Sequence, residues 1–168
     1  MMEIEVAVVG GHPDETQTYL EQSGWGKNTF SYDDLKLNFV KDVSENSQAA
    51  LIFYDCLEHD TVKKAQKQYE AILEKTDSQI PIVLIGTSHE VHNGYGLTYN
   101  SITNKTNELF KKIKKSHNKA AHYQVSKWEY AVNMENPETT QELVEKRPNL
   151  STPLSKLREM IMDCYCSQ

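Results

Sequence analysis

Residues 49–91 read AALIFYDCLEHDTVKKAQKQYEAILEKTDSQIPIVLIGTSHEV. Ala49 to Tyr54 is apolar on both faces and stops at Asp55, which predicts a strand covered on two sides; Ile80 to Ile85 repeats the pattern and stops at Gly86. Between them Val62, Ala65, Tyr69, Ile72 and Leu73 keep a helical stripe through Thr61 to Lys75. A strand, a helix and a second buried strand in this order make a parallel crossover unit, so the fold class is set here.

Working outward, Ile4 to Val9 is a third buried run, Leu35, Leu37 and Phe39 alternate as a strand with one covered face, and Ala121 to Val125 reads as a short last strand. Pro13, Asp14 and Glu15 make a favourable first helical turn and Gly24 a stop, so the first helix is expected over Pro13 to Ser23. Ile102, Leu109, Phe110 and Ile113 predict another over Ser101 to Ser116. The last is expected with Thr152 as cap and Pro153 in first position, showing Leu154, Leu157, Met160, Ile161 and Cys164 on one face. The order β-α-β-β-α-β-α-β-α predicts a single α/β domain over residues 1–168, an open, mainly parallel sheet of five to six strands with helices on both faces. In such sheets ligands sit beyond the carboxyl ends of strands, which singles out Gly10 to Thr16, Asp42 to Gln48, Asp55 to Asp60, Gly86 to His92 and Ser126 to Tyr130. The polar stretch Glu129 to Ser151 is long for a loop in a compact domain, and Glu138 to Glu145 in it has the composition of a helical turn or two.

The net charge of −6 argues against a general nucleic-acid binder, which needs excess Lys and Arg for phosphates. Three unevenly spaced cysteines, Cys56, Cys164 and Cys166, suit neither a disulfide framework nor a zinc motif and point to a reducing compartment. No window is apolar enough for a membrane span and the N-terminus lacks a signal-peptide layout, so a cytoplasmic location is expected, with the nucleus as the alternative. The final CYCSQ is not a prenylation box, since Tyr165 stands where the cysteine belongs.

The 49–91 stretch resembles the centre of a Ras-superfamily small GTPase, where a strand, a loop, a long helix, a polar turn and Pro lead to the strand carrying the guanine-reading motif. VAVVGG (residues 6–11) resembles that family's first strand and the start of its phosphate loop; AHYQVSKW (residues 121–128) resembles its final strand and second base-reading motif. The resemblance implies a P-loop GTPase-like G domain. It also shows what is missing. A phosphate loop needs glycines whose N–H groups wrap the phosphates, a Lys for their charge and a Ser or Thr for Mg²⁺. Aligned on Gly10 and Gly11, the lysine place holds Thr16 and the metal-ligand place Gln17, while His12 and Pro13 replace the flexible centre. Asp14 and Glu15 would stand where a triphosphate docks, and like charges about 4 Å apart in a partly dry site repel by on the order of 4 kcal/mol per pair.

The other motifs are equally altered. The base-reading Asn-Lys-x-Asp matches Thr87, Ser88, His89 and Glu90, keeping only the last acid in kind; the magnesium-side Asp-x-x-Gly matches Asp42 to Glu45 without its glycine; and only Trp25 to Asp34 remains of the first switch. GWGKNT at Gly24 to Thr29 follows a helix rather than a strand and reads as a turn.

The remaining chemistry-bearing residues have bland readings beside sharp ones. Asp55, Thr87 and Lys127 stand at strand ends as in a phosphoaccepting receiver domain, but the chain from Asp42 to Ala49 is too short for that fold's second helix. The six histidines, His12, His59, His89, His92, His117 and His122, show no paired helical spacing, so no metal is expected, although His89 and His92 could meet His12 or His59 across the sheet edge. The KKIKK run about Ile113 reads as a solvated helix face, and Cys56 as a packing residue.

Taken together, the residues predict a pseudoGTPase that serves as a scaffold or adaptor subunit for other proteins, in a larger complex, without GTP hydrolysis, catalytic residues, cofactor or bound nucleotide. A divergent small GTPase with weak residual nucleotide binding is the alternative, and the receiver-like domain the third. The expected contacts are Trp25, Trp128 and Tyr130, aromatics in predicted loops, and the strand of Leu35, Leu37 and Phe39, which a shortened switch would leave as an open sheet edge.

Overall fold

The computed structural model describes residues 2–26, 29–32, 35–76, 79–88, 96–126, 130–136 and 149–166. Among the described residues eleven elements run in order: β1 (Met2–Gly10), α1 (Pro13–Gln22), β2 (Thr29–Tyr32), β3 (Leu35–Val40), β4 (Ala49–Asp55), α2 (His59–Lys75), β5 (Ile82–Ser88), α3 (Leu97–Ser116), β6 (Ala120–Ser126), β7 (Tyr130–Asn133) and α4 (Thr152–Tyr165). The sheet has seven strands in the order β2-β3-β1-β4-β5-β6-β7, rather than the five to six expected. The five inner strands are parallel to one another; the two additional ones, β2 and β7, close the outer sides by antiparallel pairing.

Each helix lies where its apolar stripe demands. Tyr19 and Leu20 of α1 and Leu154, Leu157, Met160 and Ile161 of α4 join one core layer. Val62, Ala65, Tyr69 and Ile72 of α2 and Ile102, Leu109, Phe110 and Ile113 of α3 join the other. Strand β4 lies between the two layers, and all seven of its residues are buried. The last helix begins one residue earlier than expected, with Ser151 as its cap position and Pro153 within the first turn.

The connection from β3 to β4 is only eight residues, Lys41 to Gln48, although both strands flank β1 in parallel. A parallel crossover ordinarily needs a dozen residues or more. Register explains the economy: β3 pairs with Met2 to Ala7 and ends with Val40 beside Ala7, whereas β4 begins with Ala49 beside Val6. The chain therefore steps sideways over β1 without travelling back along it. Val43 is buried in the α2–α3 layer, Lys75 Nζ donates to its carbonyl at 3.3 Å, and Gln48 N–H donates to Glu5 O at 2.9 Å.

That register overturns the expected open edge. β3 is an inner strand between β2 and β1, with Leu35 and Leu37 buried, so they belong to the core and not to a surface. Trp25, expected as an exposed interface anchor, is 4% exposed and stacks on Phe39 with ring centroids 5.7 Å apart and planes 14° apart. The cause is that the chain leaving α1 turns in at Gly24, where φ is +82°, and Trp25 N–H donates to Leu20 O at 2.9 Å, which aims the indole under the sheet. Trp25→Ala should thus act on stability: a loss of about 3 kcal/mol in urea unfolding is expected from the lost burial and stacking. Tyr130 lies in β7 and is half-buried, not in a loop. Trp128, Lys127, the stretch 89–95 and the segment 137–148, where Glu138 to Glu145 was expected to coil, lie outside the described residues.

Candidate functional site

The connections from β1 and from β4 leave in opposite directions, towards β3 and towards β5, so the carboxyl ends of β1 and β4 flank the switch point of the sheet. Ligand crevices of open α/β sheets form at such points. Gly10 and Gly11 make the turn out of β1 with φ of +79° and +64°. Both lie hard against Phe53 of β4: a Cβ on Gly10 would stand 2.4 Å from Phe53 O, and one on Gly11 2.9 Å from Phe53 Cβ.

The turn delivers His12 to the α1 N-terminus, where its backbone serves as N-cap while its ring reaches across to β4. His12 Nε2 is 2.7 Å from Glu58 Oε2 and 3.5 Å from Asp55 Oδ2. Asp55, the last residue of β4, is fully buried, and its Oδ1 accepts from Leu57 N–H at 2.8 Å. Its own N–H donates to Thr61 Oγ1 at 2.8 Å, tying the strand end to the first turn of α2. In the first turn of α1, Glu15 Oε2 lies 3.2 Å from the hydroxyl of Thr87, which is equally placed to donate to Tyr54 O at 3.2 Å. Donor atoms of His12, Glu15 and Asp55 come within 4.8 Å of one another. His12, Pro13, Asp14 and Glu15 were legible as a poor phosphate loop; the convergence of His12 and Glu15 on Asp55 and Glu58 was not, since the two pairs sit on two segments far apart in sequence.

Thr16, at the lysine place of a phosphate loop, is 7% exposed and points its Oγ1 inward, where it meets no hydrogen-bond partner. Gln17 turns outward along the helix, donating to Glu21 Oε1 at 3.3 Å. Because β3 stops beside Ala7 while β1 continues to Gly10, a cleft of about 250 Å³ opens next to this turn, lined by Val8, Val9, Thr16, Phe39 and Lys41 among others. Phe39 therefore has one face on Trp25 and lines the cleft, the single member of the expected β3 contact strip that reaches a surface feature.

On the far side of β4, the place of the base-reading motifs carries a buried polar chain. Tyr54 Oη lies 2.6 Å from His122 Nε2 and accepts from Gln124 Nε2 at 3.1 Å; Tyr99 Oη donates to Gln124 Oε1 at 2.6 Å. Burial lowers the His122 imidazole to about 3 and raises the Tyr54 phenol well above its ordinary value. Gly86 is present because the Tyr54 ring occupies its side: a Cβ there would stand 2.4 Å from Cζ. Thr87 pairs with Asp55 across β4 and β5, and Ser88 ends β5; Glu90, the one acid kept in kind, lies outside the described residues. Cys56, buried beside this chain, has its thiol pushed up by desolvation and then by Asp55, which suits packing rather than nucleophilic chemistry. Of the remaining histidines, His59 Nδ1 lies 3.2 Å from Lys105 Nζ and His117 Nδ1 3.1 Å from Ile80 O; neither reaches the β1–β4 cluster.

An open sheet with a glycine turn leaving its first strand at the switch point, a central strand buried on both faces and paired helices on each side is the architecture of a small GTPase-like domain. A family model described as "Ras family" matches residues 32–144, more than half of the chain, and the chain belongs to the Ras family. No curated protein matches it. Among the described residues, no helix is long and apolar enough to cross a membrane.

Proposed function

We propose that this Ras-family domain is a pseudoGTPase, a protein-binding scaffold or adaptor subunit that neither holds nor hydrolyses GTP. One observation carries the reading: the crevice at the ends of β1 and β4, where β- and γ-phosphates would lie, is furnished with carboxylates. Glu15 is anchored to Thr87 there, and His12 bridges Asp55 and Glu58. A triphosphate needs cationic and N–H donors at this point. Thr16 offers a buried hydroxyl where the lysine would be, and Pro13 removes an N–H. The residues present do not fit a Mg²⁺ nucleotide, so no phosphoryl-transfer step is assigned to them.

Partner contacts are then expected at the outer strands β2 and β7, the two strands with only one neighbour each, and Tyr130 on β7 is the aromatic best placed to anchor them. Calorimetry of nucleotide-free protein with GTP and GDP, each with and without Mg²⁺, should give no binding at about 100 µM ligand, equivalent to less than about 5 kcal/mol of association free energy. Saturable binding in the low micromolar range would favour a second reading, a divergent GTPase with residual affinity. The turn geometry of Gly10 and Gly11, both at positive φ, is the observation on its side.

A further inference from the structure

We propose that the crevice between β1 and β4 is a binding site for a single borderline divalent transition ion, of which Zn²⁺ is the test species, held by His12 Nε2, Glu15 and Asp55 with Glu58 as fourth donor. The inference rests on the reading that this crevice takes no phosphate. Its basis is convergence. The donors come from the turn after β1, the first turn of α1, the end of β4 and the cap of α2, yet the ligand atoms of His12, Glu15 and Asp55 lie within 4.8 Å of one another, and Glu58 Oε2 lies 2.7 Å from His12 Nε2. An ion about 2.1 Å from each donor closes such a set with side-chain adjustments of an ångström or so.

The surroundings have the form that ligating carboxylates require. Asp55 is fully buried, and the Leu57 N–H holds its Oδ1 so that Oδ2 faces His12. Glu15 is oriented by the Thr87 hydroxyl. Outer contacts of this kind fix the orientation of ligating side chains. The imidazole sets the metal class: one nitrogen with two or three carboxylate oxygens suits Zn²⁺, Mn²⁺ or Fe²⁺, whereas Mg²⁺ and Ca²⁺ prefer all-oxygen shells. The ion would pin the starts of α1 and α2 to the end of β4 and so brace the phosphate-loop turn in one conformation.

The test is a Zn²⁺ titration of the nucleotide-free, metal-stripped chain in competition with a chromophoric chelator, with thermal unfolding followed in parallel and Mg²⁺ as comparison. One equivalent bound, a raised Tm and at least about a tenfold weaker binding in both His12→Ala and Glu15→Gln are expected. Both residues are partly exposed, so these variants should remain folded, which circular dichroism checks. No stoichiometric binding, or binding unchanged in both variants, overturns the site. A GTP titration of the zinc-free protein separates the two proposals: GTP binding with an intact zinc isotherm defeats the pseudoGTPase reading alone, and absent zinc binding with no GTP binding defeats the metal site alone.

Discussion

Acidification from pH 6.5 towards pH 3 is expected to remove on the order of 5 kcal/mol of stability through His122 alone, at about 1.4 kcal/mol per pH unit. The ring is fully buried and its pKa falls from 6.5 to about 3 because desolvation penalises the imidazolium. Below pH 6.5 the unfolded chain takes up a proton that the folded chain refuses; the contribution is complete above that pH and is lost as pH falls through the window. Among the described residues, those that face the ring offer no counter-charge: the Tyr54 hydroxyl, Phe110 with its ring centroid 5.5 Å away, and through Tyr54 the Gln124 amide. His117, lowered by burial against a weaker backbone hydrogen bond, adds in the same sense. Urea unfolding between pH 7 and pH 4 checks this against His122→Gln, which cannot charge. The variant should be somewhat less stable at pH 7 but lose about one proton's worth of pH slope. Parallel pH dependences in the two proteins would show that His122 titrates normally.

The same residue illustrates which parts of the molecule could be read from the chain. His122 sits inside the predicted strand Ala121 to Val125, and the strand was legible because its neighbours are apolar; that its ring would meet Tyr54, 68 residues earlier, was not. Buried two-faced strands and striped helices announce themselves because their signals are local, and β1, β3, β4, β5, β6 and the four helices all lie within a few residues of expectation. β2 and β7 are four residues each, flanked by polar sequence, and exist because the inner strands β3 and β6 present ladders for them. Their existence is a tertiary fact. Trp25 and the β3 strip were misplaced for a related reason: exposure of a strand depends on what pairs with it, and the stagger of β3 against β1 is set by register. The crevice was found by topology, as the end of β1 opposite the end of β4, whereas its furnishing by His12, Glu15, Asp55 and Glu58 depends on the short approach of Gly10 and Gly11 to Phe53.

That approach makes the second large effect. Gly10→Ala is expected to lower stability by about 4 kcal/mol, a sum of two costs. At φ +79° an L side chain costs about 1–2 kcal/mol, and a methyl 2.4 Å from Phe53 O must push β1 from β4 in a packed sheet, about 1–3 kcal/mol more. Gly24→Ala separates the two. Its φ of +82° is nearly the same, but a Cβ there meets nothing within 4 Å, so only the conformational cost of about 1 kcal/mol remains. Urea midpoints at unchanged m-value measure both. Because the obstructing atom is a backbone carbonyl, no rotamer change relieves it, and the Gly10 variant should also misplace His12 and weaken whatever the crevice binds, while the Gly24 variant leaves it intact. Equal losses from the two substitutions would mean that β1 and β4 can part freely at this end, and the rigid placement of the crevice donors would fall with that result.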